Sequence, residues 1–220
     1  MSVRCRVEML GGLRVLQGDR EIAGFATQRT AALLAYLAYH LHQAHPREVL
    51  VETFWPGGVP PSGRNSLNTA LSSLRHQLEP PGIPRGALIR SSRHTVQLNP
   101  EAVTTDVADL RSALRSAARA TSTPERIQHL SDAAALYRGE LLSGFYEDWV
   151  LTEQRRLADE YFDAALTLAT LLEQSGDVEG AIEVARAALG HDPLREEAHG
   201  ELMRLYAGSG QPVAALRQFA

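Results

Sequence analysis

The sequence RNSLNTALSSLRHQL, residues 64–78, is the most informative segment of this 220-residue chain. Its leucines stand at positions i, i+4, i+7 and i+11, a spacing that places them on one buried stripe of a helix. The stripe consists of Leu67, Leu71, Leu74 and Leu78. Because proline cannot continue a helix, the Pro80-Pro81 pair is expected to end it. The pattern therefore predicts an amphipathic helix over residues 64–78.

The face opposite the leucine stripe carries polar side chains that can bind DNA. It has no carboxylate before Glu79, whereas ordinary solvent-exposed faces mix acidic and basic residues. Asparagine can pair with adenine, arginine with guanine, and serine or threonine with a base or a phosphate. We therefore predict a recognition helix that lies in the major groove, and an ordinary solvated face is the alternative. The base-facing candidates are Asn65, Asn68, Thr69, Ser72 and His76, and the phosphate candidates on this helix are Arg64 and Arg75, of which Arg75 could also reach a guanine.

Short strands and helices are predicted before this helix. Alternating apolar residues over 3–9 and the turn signals that follow predict a small antiparallel sheet. Thr27 can cap a helix that runs to about His42, and Pro46 can start a second, short helix. The Gly- and Pro-rich residues 57–63 are expected to form a loop.

A β-hairpin is predicted after the recognition helix. LIR at 88–90 and TVQL at 95–98 flank a polar turn. Arg90 and Arg93 in this hairpin are further candidates for phosphate contact, and a plain solvated turn is the alternative. The order sheet, helix, helix, loop, helix, hairpin predicts an α+β domain over residues 1–100.

From Asp106 onward the chain shows only helical patterns. Helices fit residues 106–119, 124–137, about 148–175, 178–190, 194–207 and 211–220. Leu171, Ser175, Gly176 and Ala181 recur 34 residues later as Leu205, Ser209, Gly210 and Ala215. A 34-residue period of paired helices is the signature of tetratricopeptide repeats, so we predict an all-α tetratricopeptide-like domain over 104–220. The chain stops at Ala220 inside a predicted helix, which suggests a fragment or a face that a further segment covers.

Charge differs between the two halves of the chain. Residues 1–102 hold 11 Arg against 7 acidic residues, a net charge of +4. Residues 103–220 hold 11 Arg against 19 acidic residues, a net charge of −8. The basic half suits a polyanion such as DNA, and chance surface composition is the alternative.

Several enzyme classes are excluded by what the sequence lacks. All 22 basic residues are Arg, so neither a P-loop lysine nor a Schiff-base lysine is available. Neither Gly-x-Ser-x-Gly nor Gly-x-Gly-x-x-Gly occurs. We expect no enzymatic activity and no cofactor. Metal binding at His40, His42 and His45 is disfavoured because no cysteine accompanies them, so no metal site is predicted.

Two further observations concern location and the helical half. One cysteine and no secretory signal or membrane-spanning stretch predict a cytoplasmic protein. Four aromatic residues of the second half could line a peptide-binding groove, although packing between helices is the favoured interpretation. They are Tyr137, Tyr146, Trp149 and Tyr161.

Several segments resemble one known family along nearly the whole chain. The first half resembles the winged helix-turn-helix of response regulators and, more closely, that of the Streptomyces antibiotic regulatory protein (SARP) family. The matching segments are LGGLRV at 10–15, TQRTAALLAYLAYH at 27–40, REVLVETFWP at 47–56, RNSLNTALSSLRHQL at 64–78 and VQLNP at 96–100. The second half resembles the bacterial transcriptional activator domain of that family. Its segments are LYRGELLSGFYEDWV at 136–150, EQRRLADEY at 153–161 and DPLREEAHGELMRLYAGSG at 192–210.

The resemblance implies a transcriptional activator. In that family the winged helix binds direct repeats at promoters of biosynthetic or regulatory genes, including those of secondary metabolism such as antibiotics. The helical domain supports dimerisation and contacts with RNA polymerase. The expected partners are therefore double-stranded promoter DNA, RNA polymerase and a second copy of the chain. The alternative function is a protein-interaction scaffold whose winged helix has lost DNA binding.

Overall fold

The computed structural model describes residues 4–57 and 60–219. The chain forms two compact units. Within the described residues, the first unit runs to Ala108 and includes Leu142–Phe145, and the second contains Asp109–Leu141 and the residues from Tyr146 onward. No helix among the described residues has the length and apolar character needed to cross a membrane.

The first unit contains short strands and three helices, and its last strands follow the third helix. In chain order these elements are β1 (Cys5–Glu8), β2 (Arg14–Gln17), β3 (Arg20–Ile22), α1 (Gln28–Tyr39), β4 (His45–Pro46), α2 (Arg47–Phe54), α3 (Pro60–Leu78), β5 (Ile89–Ser91), β6 (Thr95–Leu98) and β7 (Val103–Thr105).

The opening sheet has four strands in the order β3-β2-β1-β7. β1, β2 and β3 pair antiparallel, as predicted, with Val7 opposite Val15 and Val15 opposite Ile22. β7 pairs parallel with β1, with Cys5 opposite Val103, and adds to this sheet a strand that the sequence did not predict. The three-residue β7 is too short to show the alternation that predicts a strand, and its partner β1 is distant in sequence.

The helix α1 forms the centre of the first unit. The side chain of Thr27 accepts a hydrogen bond from the amide of Thr30, which confirms the predicted cap. Leu33 and Leu34 are fully buried, as are several alanines around them. The helix ends at Tyr39, before the predicted end at about His42. At this end the amide of His40 donates to the carbonyl of Tyr36.

The helix α3 begins at Pro60, whereas residues 57–63 were predicted to form a loop. That prediction was wrong for residues 60–63, because proline is well tolerated in the first turn, where its missing N–H would have no helical partner. A Cβ atom on Gly63 would overlap Cγ1 of Val51 on α2, so a larger residue there would force Val51 to shift. The leucine stripe is confirmed: Leu67, Leu71, Leu74 and Leu78 are all buried.

The predicted hairpin after α3 is formed by β5 and β6, and we call residues 89–98 the wing. β4 adds to it, giving a sheet in the order β4-β6-β5 with His45 opposite Val96. The amide of Arg47 donates to the carbonyl of His94 at 2.8 Å. These contacts join the first residue of α2 to the turn of the wing.

The second unit is helical, as predicted. After β7 the chain forms α4 (Asp106–Arg119), α5 (Thr123–Leu136), α6 (Asp148–Gln174), α7 (Val178–His191), α8 (Glu196–Gly208) and α9 (Pro212–Phe219). From α5 onward each helix packs against the next. Gly176 and Gly210, the repeated glycines, have φ values of 91° and 74° and form the turns after α6 and α8.

Two of the tyrosines proposed for a groove pack inside this unit. The rings of Tyr137 and Tyr161 stack with centroids 4.1 Å apart, and the ring of His191 meets both edge-on. Both tyrosines are buried, so packing between helices is the correct interpretation for them, whereas Tyr146 is exposed.

Candidate nucleic-acid interface

The predicted DNA-contacting residues lie on the surface of the first unit. Eight of them are exposed, and Arg75 is half-buried. The exposed ones are Arg64, Asn65, Asn68, Thr69, Ser72, His76, Arg90 and Arg93. The polar face of α3 is therefore available to a ligand along its length.

Three grooves border this face. The wing-side groove includes Arg47, Asn68, Ser72, Arg75, His76, Arg85 and Arg93 in its lining. The α2-side groove includes Arg47, Glu48, Trp55, Arg64, Asn68, Arg93 and His94. The α1-side groove includes Thr27, Arg29, Asn65, Ser66, Thr69 and Ser73. The structure thus brings together Asn68, Ser72, His76 and Arg93. Asn65 and Thr69 lie on the other flank of α3. Arg90 lines none of these grooves.

The wing-side groove concentrates positive charge. Arg47, Arg75, Arg85 and Arg93 all line it, although they come from α2, α3, the following loop and the wing. Burial lowers the pKa of Arg75, and the nearby Arg85 lowers it further. Such mutual repulsion between cations is relieved when an anion enters, so the groove suits a phosphate.

Arg47 and Arg85 were not among the sequence-based candidates. Arg47 follows a proline at a helix start and Arg85 lies in a Gly- and Pro-rich loop, so neither belongs to the pattern of α3. Only the pairing of β4 with β6 and the course of the loop bring them beside α3.

The one carboxylate at the end of the polar face is turned inward. The Glu79 side chain is only 2% exposed. Its Oε1 accepts hydrogen bonds from the amides of Leu88 and Ile89, each at 2.8 Å, and both oxygens accept from Gly86 at 3.1 Å. Oε2 also lies 3.8 Å from Nε of Arg75. Glu79 therefore fixes the start of the wing to the end of α3, and although it belongs to the lining of the wing-side groove, little of its carboxylate is exposed.

Three of the four predicted phosphate-binding arginines have carboxylate partners. Arg64 lies 3.8 Å from Glu48, Arg90 lies 2.8 Å from Glu101, and Arg75 contacts Glu79. The first two pairs are exposed, and such pairs contribute little to stability, so their arginines can exchange to a phosphate. Within residues 4–57 and 60–219, Arg93 has no carboxylate within ion-pair distance.

Two of the base-facing candidates have side-chain hydrogen bonds within the unit. Oδ1 of Asn68 accepts from Nη2 of Arg47 at 2.5 Å. The hydroxyl of Thr69 donates to the carbonyl of Asn65 at 3.0 Å, one turn earlier, which leaves the hydroxyl oxygen as an acceptor.

The end of α3 is held by the opening sheet. Gln17 donates to the carbonyl of Leu78 at 2.8 Å, and Arg20 donates to the carbonyl of Gln77 at 2.9 Å. A cation at a helix C-terminus is favourable because it meets the negative end of the helix dipole. The sheet therefore holds the C-terminal end of α3 in place.

The predicted histidine cluster packs against tyrosine. The His40 and His45 rings lie 5.4 Å apart, and the Tyr36 ring lies 4.7 and 4.9 Å from them. Burial lowers the pKa of His45. In the part of the chain that the structure describes, no group of three or more potential ligand residues could hold a metal ion.

Comparison with known proteins gives one family and one fold. Residues 105–220 match the model of the bacterial transcriptional activator domain. Mycobacterium tuberculosis EmbR, solved in complex with a low affinity phosphopeptide, superposes with a TM-score of 0.77 at 21% sequence identity. The superposition covers 99% of this chain and 58% of the EmbR chain. The predicted fold class, an α+β winged helix followed by a helical domain, is thereby confirmed. Comparison with curated protein sequences gives no match.

Proposed function

The chain belongs to the family of transcriptional activators that carry the bacterial transcriptional activator domain, as the resemblance to SARP proteins implied, and on that premise we propose that its winged helix binds promoter DNA. The observation that carries the proposal is the wing-side groove. It places four arginines beside the exposed face of α3, and the Glu79 carboxylate at its end is bound by backbone amides. Phosphate contacts from arginines of this groove would position α3, and its polar side chains would read the bases.

Two arginines of the second unit also form ion pairs with carboxylates. Arg204 pairs with Glu173 and Glu201, at 2.6 and 2.8 Å, and Arg195 pairs with Asp159 at 2.8 Å. Because ion pairs occur in both units, it is the net charge of −8 on residues 103–220, against +4 on residues 1–102, that favours the first unit as the DNA-binding part.

The family suggests how binding would lead to activation. We propose that two copies bind direct repeats and that the helical unit supports dimerisation and contacts RNA polymerase. The regulated genes would be biosynthetic or regulatory, including those of secondary metabolism. The protein would act by binding alone, without catalysis or a cofactor.

The test is selection of bound sequences from random duplex DNA by the 220-residue chain, with affinity measured against salt. Enrichment of a directly repeated motif, with affinity that falls steeply as salt rises, is the expected result. Weak binding without any enriched motif would contradict sequence-specific DNA binding. It would favour the alternative, a scaffold whose helical unit binds a partner protein.

A further inference from the structure

The hydrogen bond between Arg47 and Asn68 joins two elements at the proposed DNA-binding surface. Arg47 is the first residue of α2, and its backbone is held by the carbonyl of His94 at 2.8 Å. Asn68 lies on the exposed face of α3. Both residues line the wing-side groove and the α2-side groove, so their remaining polar atoms border the same space.

The chemistry of the two side chains fixes the orientation of the Asn68 amide. Arginine has five N–H donors and no acceptor, so the amide atom that meets it must be the oxygen. Nδ2 of Asn68, which carries two N–H groups, therefore points away from Arg47. The pair presents N–H groups from both residues to the groove, with the asparagine oxygen already engaged.

This arrangement changes what Asn68 can read. An asparagine recognises adenine with two bonds: its oxygen accepts from N6, and its amide donates to N7. In this pair Arg47 already donates to that oxygen, so an adenine N6 amino group would have to share the oxygen with a guanidinium whose N–H groups it cannot pair with. Guanine is the base whose major-groove edge offers two acceptors, N7 and O6, whereas adenine and cytosine place an amino group there. A pair that presents donors therefore matches guanine.

We propose that Arg47 and Asn68 act together to select guanine at one base pair of each half-site, an inference that rests on the proposed DNA binding. Arg47 is thus a specificity determinant outside the recognition helix. Sequence alone suggested adenine as a partner for asparagine, because the neighbour of its oxygen is 21 residues away along the chain.

The test is the same selection experiment with the 220-residue wild type and with Arg47→Ala. The wild type should prefer guanine at one position of the motif by at least about fivefold over each other base, the ratio that corresponds to the lower range of one bidentate base contact. In Arg47→Ala the Asn68 oxygen is released. The preference at that position should therefore move from guanine to adenine and should not simply weaken.

Two further variants separate specificity from charge and from folding. Arg85→Ala removes a cation from the same groove without touching Asn68, so it should weaken binding and leave the base preference unchanged. Arg47→Met keeps the aliphatic stem and removes every donor, so it should reproduce the change to adenine if Arg47→Ala fails to fold. Circular dichroism establishes folding for each variant.

The outcomes distinguish this inference from the proposed function. If the wild type enriches a motif and both Arg47 variants keep the same base at every position, the hydrogen bond only holds α2 against α3, and the inference is wrong. If the wild type enriches no motif, the proposed function itself is wrong, and the inference with it.

Discussion

At the scale of single residues, Arg93 and Glu79 have opposite roles in the first unit. Arg93 is exposed at the turn of the wing and lines two of the grooves beside α3. Glu79 is buried, and its oxygens satisfy three backbone amides. A substitution of Arg93 should therefore affect binding, whereas a substitution of Glu79 should affect the stability of the fold.

Arg93→Ala should weaken binding to all DNA sequences alike. It removes a cation expected to contact a phosphate, so the slope of log affinity against log salt should fall by about one. Arg126→Ala, an exposed arginine on α5, makes the same change in charge and serves as the control. An unchanged slope in Arg93→Ala would mean that the wing does not contact DNA.

Glu79→Ala should lower the free energy of unfolding by about 2–3 kcal/mol, because the amides of Gly86, Leu88 and Ile89 lose their acceptor. Urea unfolding followed by circular dichroism measures the change. Glu101→Ala removes a carboxylate that is 79% exposed, and its effect should stay within about 0.5 kcal/mol. Equal effects of the two substitutions would contradict an anchoring role for Glu79.

At the scale of elements, the contact of α2 with α3 depends on one glycine. Gly63 occupies the first turns of α3, where Val51 of α2 leaves no room for a Cβ atom. The two helices therefore approach each other closely at Gly63 and Val51, and the proposed reading pair, Arg47 and Asn68, joins the same two helices.

Gly63→Ala should destabilise the protein by about 1–3 kcal/mol, the usual cost of forcing one methyl group into a packed contact. Gly200→Ala on α8 is the matched control, since a Cβ there meets nothing within 4 Å. It should instead stabilise by about 0.4–1 kcal/mol, because alanine restricts the unfolded chain. Adding Val51→Ala to Gly63→Ala should restore most of the loss, and thermal unfolding of the four proteins checks this.

A helix or strand can be predicted from sequence when the pattern that indicates it lies within a short segment of the chain. The leucine stripe of α3, the Thr27 cap and the repeated glycines at 176 and 210 were predicted because each pattern lies within a short segment. β4 and β7 were missed because a strand of two or three residues acquires its identity from a distant partner. The start of α3 was misplaced because Pro60 and Pro61 suit both a loop and a first helical turn.

At the scale of the whole molecule, the candidate site was recovered only in part. The polar face of α3 follows from periodicity, since exposure alternates with the buried leucines. Arg47, Arg85 and the inward turn of Glu79 do not, because each depends on contacts between α3 and segments elsewhere in the chain. The net charge of each half does not reveal how its arginines are engaged, since three of the four arginines predicted to bind phosphate have carboxylate partners.

Stability should decrease as the pH falls from about 7.5 to 5.5. Burial lowers the folded-state pKa of His45, and burial also lowers that of His191, so the unfolded chain binds protons more readily. The contribution of such a histidine to the free energy of unfolding is fully present above the unfolded-state pKa of about 6.5. It is lost as the pH falls toward the lower pKa of the folded state. His45→Phe should reduce this loss, which urea unfolding at the two pH values measures; an unchanged loss would exclude His45 as a contributor.

The pairing of Arg47 with Asn68 has a consequence for how regulators of this kind diverge. If an arginine on one helix determines which hydrogen-bonding atoms of an asparagine on another are free, two paralogues with identical recognition helices need not control the same operators. A single codon change at position 47 could redirect a regulon while the sequence of α3 is preserved. Assigning target genes by comparing α3 alone would group such paralogues wrongly.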